Sequence, residues 1–341
     1  MQNLLYDRLG AGAHELSLIW RRAARVRTID KARERGHIAA MSRPALPPLH
    51  ALLALAVVAV WGTNFVVIRW GLDDLPPLTF AALRFTFAVL PAVFFLKRPA
   101  VPWWNLAAYG LLIGAGQFGV LYIAMTQWIS PGLASLVVQT QAFFTIGFAM
   151  LLAGERVKTF QLVALGLAAA GLAWLMIHTD ADARPLGIAM VLFAALSWAA
   201  GNTVARTAGP VNMLAYVVWS SVFAAPPLIV LAVTVEGWPA VSGAIAKADA
   251  GAWAAVLWQS VGNTIFGYSA WSWLLARHPT ATVAPLSLLV PVFGMGASAV
   301  LLAEPLTATK LTAAGLVLGG LALNTLWPAW TRRAAAAQEP A

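Results

Sequence analysis

Leu152-Ala153-Gly154-Glu155 and Leu301-Leu302-Ala303-Glu304 fall on each other at a spacing of 149 residues and share their first and last residues. At that offset Gly166 falls on Gly315 and Gly171 on Gly320. Nearer the start, at a slightly different spacing, Trp61-Gly62-Thr63-Asn64 is echoed by Trp198-Ala199-Ala200-Gly201-Asn202. The chain of 341 residues thus reads as two copies of one unit. Its solvent follows from composition: 60% of residues are hydrophobic and 10% charged, against about 45–50% and about 25% in soluble domains. That much apolar surface needs lipid around it. The 16 Trp and 27 Gly fit, since Trp gathers at membrane interfaces and Gly at close helix contacts.

Outward from this pair, apolar runs of about 20 residues recur, the length of a membrane helix. Ten are expected: Leu49–Ile68, Leu78–Phe95, Leu106–Met125, Leu133–Ala153, Gln161–Ile177, Leu186–Ala205, Leu214–Val235, Ala252–Leu275, Val283–Leu302 and Leu311–Trp327. Short linkers with Pro76-Pro77, Pro99, Pro131-Gly132, Pro185, Gly209-Pro210 and Pro279 separate them. Runs this long and continuous are helices, not strands of a barrel. The fold class is therefore an all-α membrane protein of ten transmembrane helices. Five spans per copy is an odd number, so the two repeats run in opposite directions across the bilayer. Inverted repeats characterise alternating-access carriers, whose site lies near the midplane where the halves meet. The expected domains are a basic extension 1–48, a first repeat 49–180, a second repeat 181–330 and a tail 331–341.

Charge sets the direction. With the N-terminus inside, seventeen Lys and Arg fall on the cytoplasmic side; four (Arg69, Arg184, Lys247 and Lys310) fall in outer loops, and Arg84 lies within a span. Both termini are expected in the cytoplasm of a multi-pass plasma-membrane protein. Glu155 then ends its helix inside and Glu304 outside. Residues 1–48 carry nine of the basic residues and no long apolar run, so they do not read as a signal peptide. They read as a basic arm on anionic lipid, as an inert tail, or as sequence upstream of a start at Met41.

The polar residues inside the spans are the candidate site. Arg84 lies about 10 Å into its helix and reads either as a dock for a substrate carboxylate or as a structural cation. Gln139 and Gln141 occupy the middle of the fourth span, Gln117 the third, and Gln259 and Asn263 stand one turn apart in the eighth. Uncharged amides of this kind suit a zwitterionic small molecule. Pro285 and Pro291 interrupt the ninth span around Ser287, and broken helices free backbone groups that can hold solute. Asn64, near the outer end of span 1, and Asn202, near the inner end of span 6, read as interhelical glue or as pore residues. Trp198 reads as a gate or an interface anchor, and Glu155 and Glu304 as helix-end residues for gating or packing. The proposed substrate-binding set is Gln117, Gln139, Gln141, Asn263, Ser287 and Arg84.

Several chemistries are excluded or unsupported. The chain has no cysteine, hence no disulfide, thiolate metal site or cysteine nucleophile. It has no phosphate-binding GxxxxGK[ST] loop and no HExxH. No cofactor and no metal is expected. The net charge of +9 marks cytoplasmic loops rather than nucleic-acid binding; the partners are membrane lipid and a small solute. An intramembrane enzyme modifying lipid or metabolite is the alternative, but it needs acids, bases or a metal at the midplane.

Trp61-Gly62-Thr63-Asn64-Phe65, Leu83-Arg84-Phe85, Gly154-Glu155 with its following glycines, and Trp198 resemble the EamA family of the drug/metabolite transporter superfamily over about residues 41–330. Pro131 to Val137, Gln139 to Ile146 and Val283 to Pro291 resemble the members that export O-acetylserine and cysteine. The resemblance implies efflux of small amino-acid metabolites across a bacterial inner membrane. Reporter fusions at Asp182 and Arg333 test the topology: the first is expected outside and the second inside, and either in the opposite compartment would overturn it.

Overall fold

The computed structural model describes residues 46–153, 158–178, 184–278 and 280–337. Glu155 and the readings placed on residues 1–45 lie outside them. Pro48–Thr331 forms one compact unit. A second unit, Met1–Pro47 with Arg332–Ala341, contributes only residues 46–47 and the helical residues 332–337 to the described set.

Ten helical spans follow the expected runs. They are α1 (Pro48–Asp74), α2 (Pro77–Val89), α3 (Trp103–Gln127), α4 (131–153), α5 (Thr159–Ile177), α6 (Pro185–Thr207), α7 (Met213–Lys247), α8 (250–277), α9 (280–301) and α10 (Ala308–Ala337). Pro77, Pro131 and Pro185 stand at the first turns of α2, α4 and α6, where a missing N–H costs nothing and the fixed φ suits the helix. Among the described residues nine helices are long and apolar enough to cross a membrane. The one that falls short is α8, continuous from Ala250 to Arg277. Its middle holds Gln259, Ser260, Asn263 and Thr264, all buried. A helix can carry that polarity through a bilayer only by turning it into the protein.

Two kinds of irregularity recur in both repeats, while a π-helical stretch at Ala232–Gly237 of α7 has no counterpart in α2. The third span of each repeat carries a π-helical stretch, Leu112–Gly119 in α3 and Trp258–Phe266 in α8. The fourth span of each carries a 3₁₀ segment, Val138–Thr140 in α4 and Ala284–Leu289 in α9. Such departures from i→i−4 bonding cluster at functional places in helices, and here both copies keep them. Pro285 and Pro291 are not kinks within a helix. Each stands at the first turn of its own segment, so the change from 3₁₀ to α falls between them.

The two repeats interlock. One hydrophobic core draws on both, from Phe65, Phe80 and Tyr122 to Val191, Tyr216 and Val256. The fifth spans pair with one another around Ala164, Ala168, Ala314 and Val317. Close approach needs glycine: a Cβ on Gly110 of α3 would lie 2.2 Å from the Ser220 carbonyl oxygen of α7, and one on Gly320 of α10 would lie 2.4 Å from the Ala164 carbonyl oxygen of α5. Gly315, five residues before Gly320 and on another face of α10, has nothing within 4 Å of the same added atom. Gly110→Ala should therefore destabilise the bundle by about 1–3 kcal/mol. Gly315→Ala should be neutral or stabilising by up to about 1 kcal/mol through helix propensity. Thermal unfolding in detergent checks the pair; equal shifts would refute the packing.

Candidate functional site

A cavity of ≈ 300 Å³ opens between the repeats. It is lined by all six residues of the expected substrate set, Arg84, Gln117, Gln139, Gln141, Asn263 and Ser287. Asn64, Trp198 and Asn202 line it too. The two asparagines are not at opposite ends of the pathway. Span α1 runs on to Asp74, six residues past its expected end, which moves Asn64 toward the middle of its helix. Pro285 and Pro291 are absent from the lining, although Ala284, Ser287 and Val290 beside them are present.

The lining is built from equivalent places in the two repeats. Gln117 is the sixth residue of the first π-helical stretch and Asn263 the sixth of the second. Trp61 with Asn64 and Trp198 with Asn202 come from the first span of each repeat. Gln139 and Ser287 come from the two 3₁₀ segments. Each of these four irregular segments thus delivers a polar side chain to the same space.

Hydrogen bonds tie the lining across the repeats. Asn202 Nδ2 donates to Gln141 Oε1 at 3.3 Å. Trp61 Nε1 donates to the Asn263 carbonyl at 3.2 Å, and Asn263 Nδ2 to Gln259 Oε1 at 3.4 Å. Trp61 also packs against Tyr268 and Trp271, with ring centroids 5.9 and 5.2 Å away. Arg84 is 2% exposed. Its guanidinium carbon sits 3.5 Å from the Phe118 ring centroid, and Nη1 donates to the Tyr122 hydroxyl at 3.1 Å. The Arg84 carbonyl accepts from Ser260 Oγ at 3.0 Å, which joins α2 to α8. Tyr109, Met213, Tyr268 and Trp271 also line the cavity; their apolar character hid them among core residues.

Glu304 lies away from the cavity. Its carboxylate accepts from the Gly132 N–H at 3.0 Å and from Ser130 Oγ, so it caps the start of α4. Lys310, expected in an outer loop, is 1% exposed and pairs with Glu304 at 3.0 Å. Glu236, in the π-helical stretch of α7 just before Gly237, does the same for α2, accepting from the N–H groups of Leu78 at 2.6 Å and Thr79 at 3.0 Å. Both acids belong to the second repeat and both cap helices of the first, on the side where α2 and α4 begin. A carboxylate complements the partial positive charge of a helix start. Ala303, just before Glu304, takes φ +54°. That left-handed position is one glycine prefers at a helix end, and in sequence Gly154 is the residue aligned with Ala303 in the other repeat.

His50 and His278, distant in sequence, meet at 2.7 Å. Among the described residues no group of three or more His, Asp or Glu could hold a metal ion.

The sequence matches the EamA-like transporter family twice, over residues 49–177 and 185–326. A "Probable amino-acid metabolite efflux pump" of Salmonella typhimurium strain LT2 is 40% identical over 279 residues, 80% of this chain and 93% of that protein. The protein of the same description from Escherichia coli K12 is 39% identical over 290 residues, 82% of this chain and 96% of its own length. The "Uncharacterized inner membrane transporter YedA" of Escherichia coli K12 is 28% identical over 296 residues, covering 83% and 92% of the two chains. A protein solved by crystallography superimposes with a TM-score of 0.57 at 18% identity, over 84% of this chain and 98% of that one; it speaks to the fold alone.

Glu304→Ala removes the charged acceptor of the α4 cap and should cost at least about 1.5–3 kcal/mol. Glu304→Gln, which keeps an acceptor, should cost less. Unfolding in detergent ranks the two variants, and a Glu304→Ala protein as stable as the parent would show that the cap contributes nothing.

Proposed function

Since the chain belongs to the EamA-like transporter family, we propose that it exports small amino-acid metabolites through the cavity between its repeats, by alternating access. The observation that carries this reading is the matched lining: Gln117 with Asn263, and Asn64 with Asn202, present equivalent polar positions of opposed repeats to one space. A pseudo-two-fold axis in the membrane plane makes such a space reachable from either side when one half rocks against the other. Both 39–40% identical relatives carry the description of amino-acid metabolite efflux pump, and the family is one of transporters, not enzymes.

The cavity's ≈ 300 Å³ suits a molecule the size of an amino acid. Apart from Arg84, the polar lining is made of amides and a hydroxyl, which bind charged groups without the desolvation cost of further fixed ion pairs, so solute is held weakly enough to be released. O-acetylserine and cysteine are solutes of this size and charge. The reading places the protein in a bacterial inner membrane, both termini cytoplasmic, with the first repeat over 49–180, the second over 181–330, and residues 1–48 and 331–341 outside the transport unit.

Proteoliposomes containing the purified chain, offered a panel of amino acids and O-acetyl-L-serine with and without ion gradients, test this. Uptake of small zwitterions is expected. Gln139→Ala and Asn263→Ala should each weaken apparent affinity several-fold, the equivalent of about 0.5–1.5 kcal/mol for one hydrogen bond, at unchanged membrane abundance. Absence of uptake across the panel, or kinetics identical to the parent in both variants, would contradict it.

A further inference from the structure

Two buried polar atoms at the cavity lack hydrogen-bond partners, and their polarities are opposite. Arg84 Nε is a donor without an acceptor, and Asn64 Oδ1 is an acceptor without a donor. The residues are 2% and 4% exposed, and both line the cavity. Buried polar groups are ordinarily satisfied, and an arginine inside a membrane ordinarily pairs with an acid or with backbone carbonyls. Arg84 has one hydroxyl, Tyr122, and the face of Phe118. No Asp or Glu lines the cavity among the described residues, so Arg84 is the fixed charge of that lining.

Around Asn64 the wall differs. Trp61, one turn before it on α1, packs with Trp271 and Tyr268, and all three line the cavity. Aromatic faces attract a cation electrostatically, and an unused carbonyl oxygen beside them accepts from an ammonium. Arginine offers its planar fork to a carboxylate.

Resting on the amino-acid-metabolite reading above, we infer that the cavity recognises both ends of a zwitterion: Arg84 takes the carboxylate, while Asn64 Oδ1 and the faces of Trp61 and Trp271 take the α-ammonium. The solute is therefore defined by its free carboxylate and free amine more than by its side chain. Its esters and amides are excluded because they leave Arg84 without an anion, and its N-acylated forms because they bring no cation to the aromatic wall.

The test uses the full chain in proteoliposomes. Uptake of O-acetyl-L-serine, L-cysteine and L-threonine is measured in competition with L-threonine methyl ester and N-acetyl-L-threonine. The parent protein should prefer the free amino acids to both derivatives by at least about tenfold, as expected for charge-assisted hydrogen bonds. In Arg84→Met the preference for acid over ester should collapse, while discrimination against the N-acetyl compound persists. Arg84→Lys, which keeps the charge and loses the fork, should retain the acid preference at lower affinity. Asn64→Ala should do the converse of Arg84→Met, weakening zwitterion uptake several-fold and narrowing the N-acetyl penalty while the acid-to-ester ratio stands.

If the parent takes up acid and ester equally, the inference is overturned and the efflux reading survives. An Arg84→Met protein that folds and still prefers the acid overturns it as well. If the parent takes up none of the three amino acids, the efflux reading itself fails and this one with it. The parent's own selectivity keeps the inference falsifiable even if Arg84→Met does not fold.

Discussion

Hydrocarbon offers no hydrogen bonds. Every polar side chain that enters the bilayer must find its partner in the protein or in water the protein admits. The rest of the structure follows from that constraint. Span α8 carries Gln259, Ser260, Asn263 and Thr264 in its middle, and all four are buried. Once they turn inward, α8 must face α1 and α2, and the Ser260 bond to the Arg84 carbonyl and the Trp61 bond to the Asn263 carbonyl fix that face. Arg84 is held the same way, inside and away from lipid. Polarity that cannot go outward collects between the repeats, and the collection is the cavity.

The interlock of the halves gives the cavity its walls. The glycine contacts of α3 on α7 and of α10 on α5 bring backbones within a side chain's breadth. Such packed interfaces tend to be bistable rather than continuously deformable. Glu236 and Glu304 add charged caps from the second repeat onto α2 and α4 of the first. These contacts lie on the side where α2 and α4 begin, so under the proposed alternating access opening that side means breaking hydrogen bonds to charged groups.

The ten spans were legible in the sequence because a bilayer demands about 20 apolar residues in succession and little else. The repeat and the inward amides were legible as well. What escaped was set by tertiary geometry. Asn64 and Asn202 read as lying at opposite ends because depth was counted from the edges of apolar runs, and α1 extends beyond its run through Arg69 and Asp73, which pair with each other at 2.7 Å. Lys310 read as a loop charge, since only the fold brings Glu304 to it. The π-helical and 3₁₀ segments that aim Gln117, Asn263, Gln139 and Ser287 leave no mark in hydrophobic periodicity. Tyr109, Met213 and Tyr268 look like core residues until the cavity beside them is seen.

The account's central claim is that the shared cavity is the path of the solute. The chain contains no cysteine, so single substitutions such as Ser287→Cys and Asn202→Cys place one thiol in it against an otherwise blank background. Both residues line the cavity, from the first and fourth spans of the second repeat. The account predicts that a membrane-impermeant thiol reagent labels both positions and that a transported amino acid slows labelling in a concentration-dependent way. Labelling at both positions that is indifferent to every transported solute, or thiols closed to the reagent from both sides of the membrane, would contradict it.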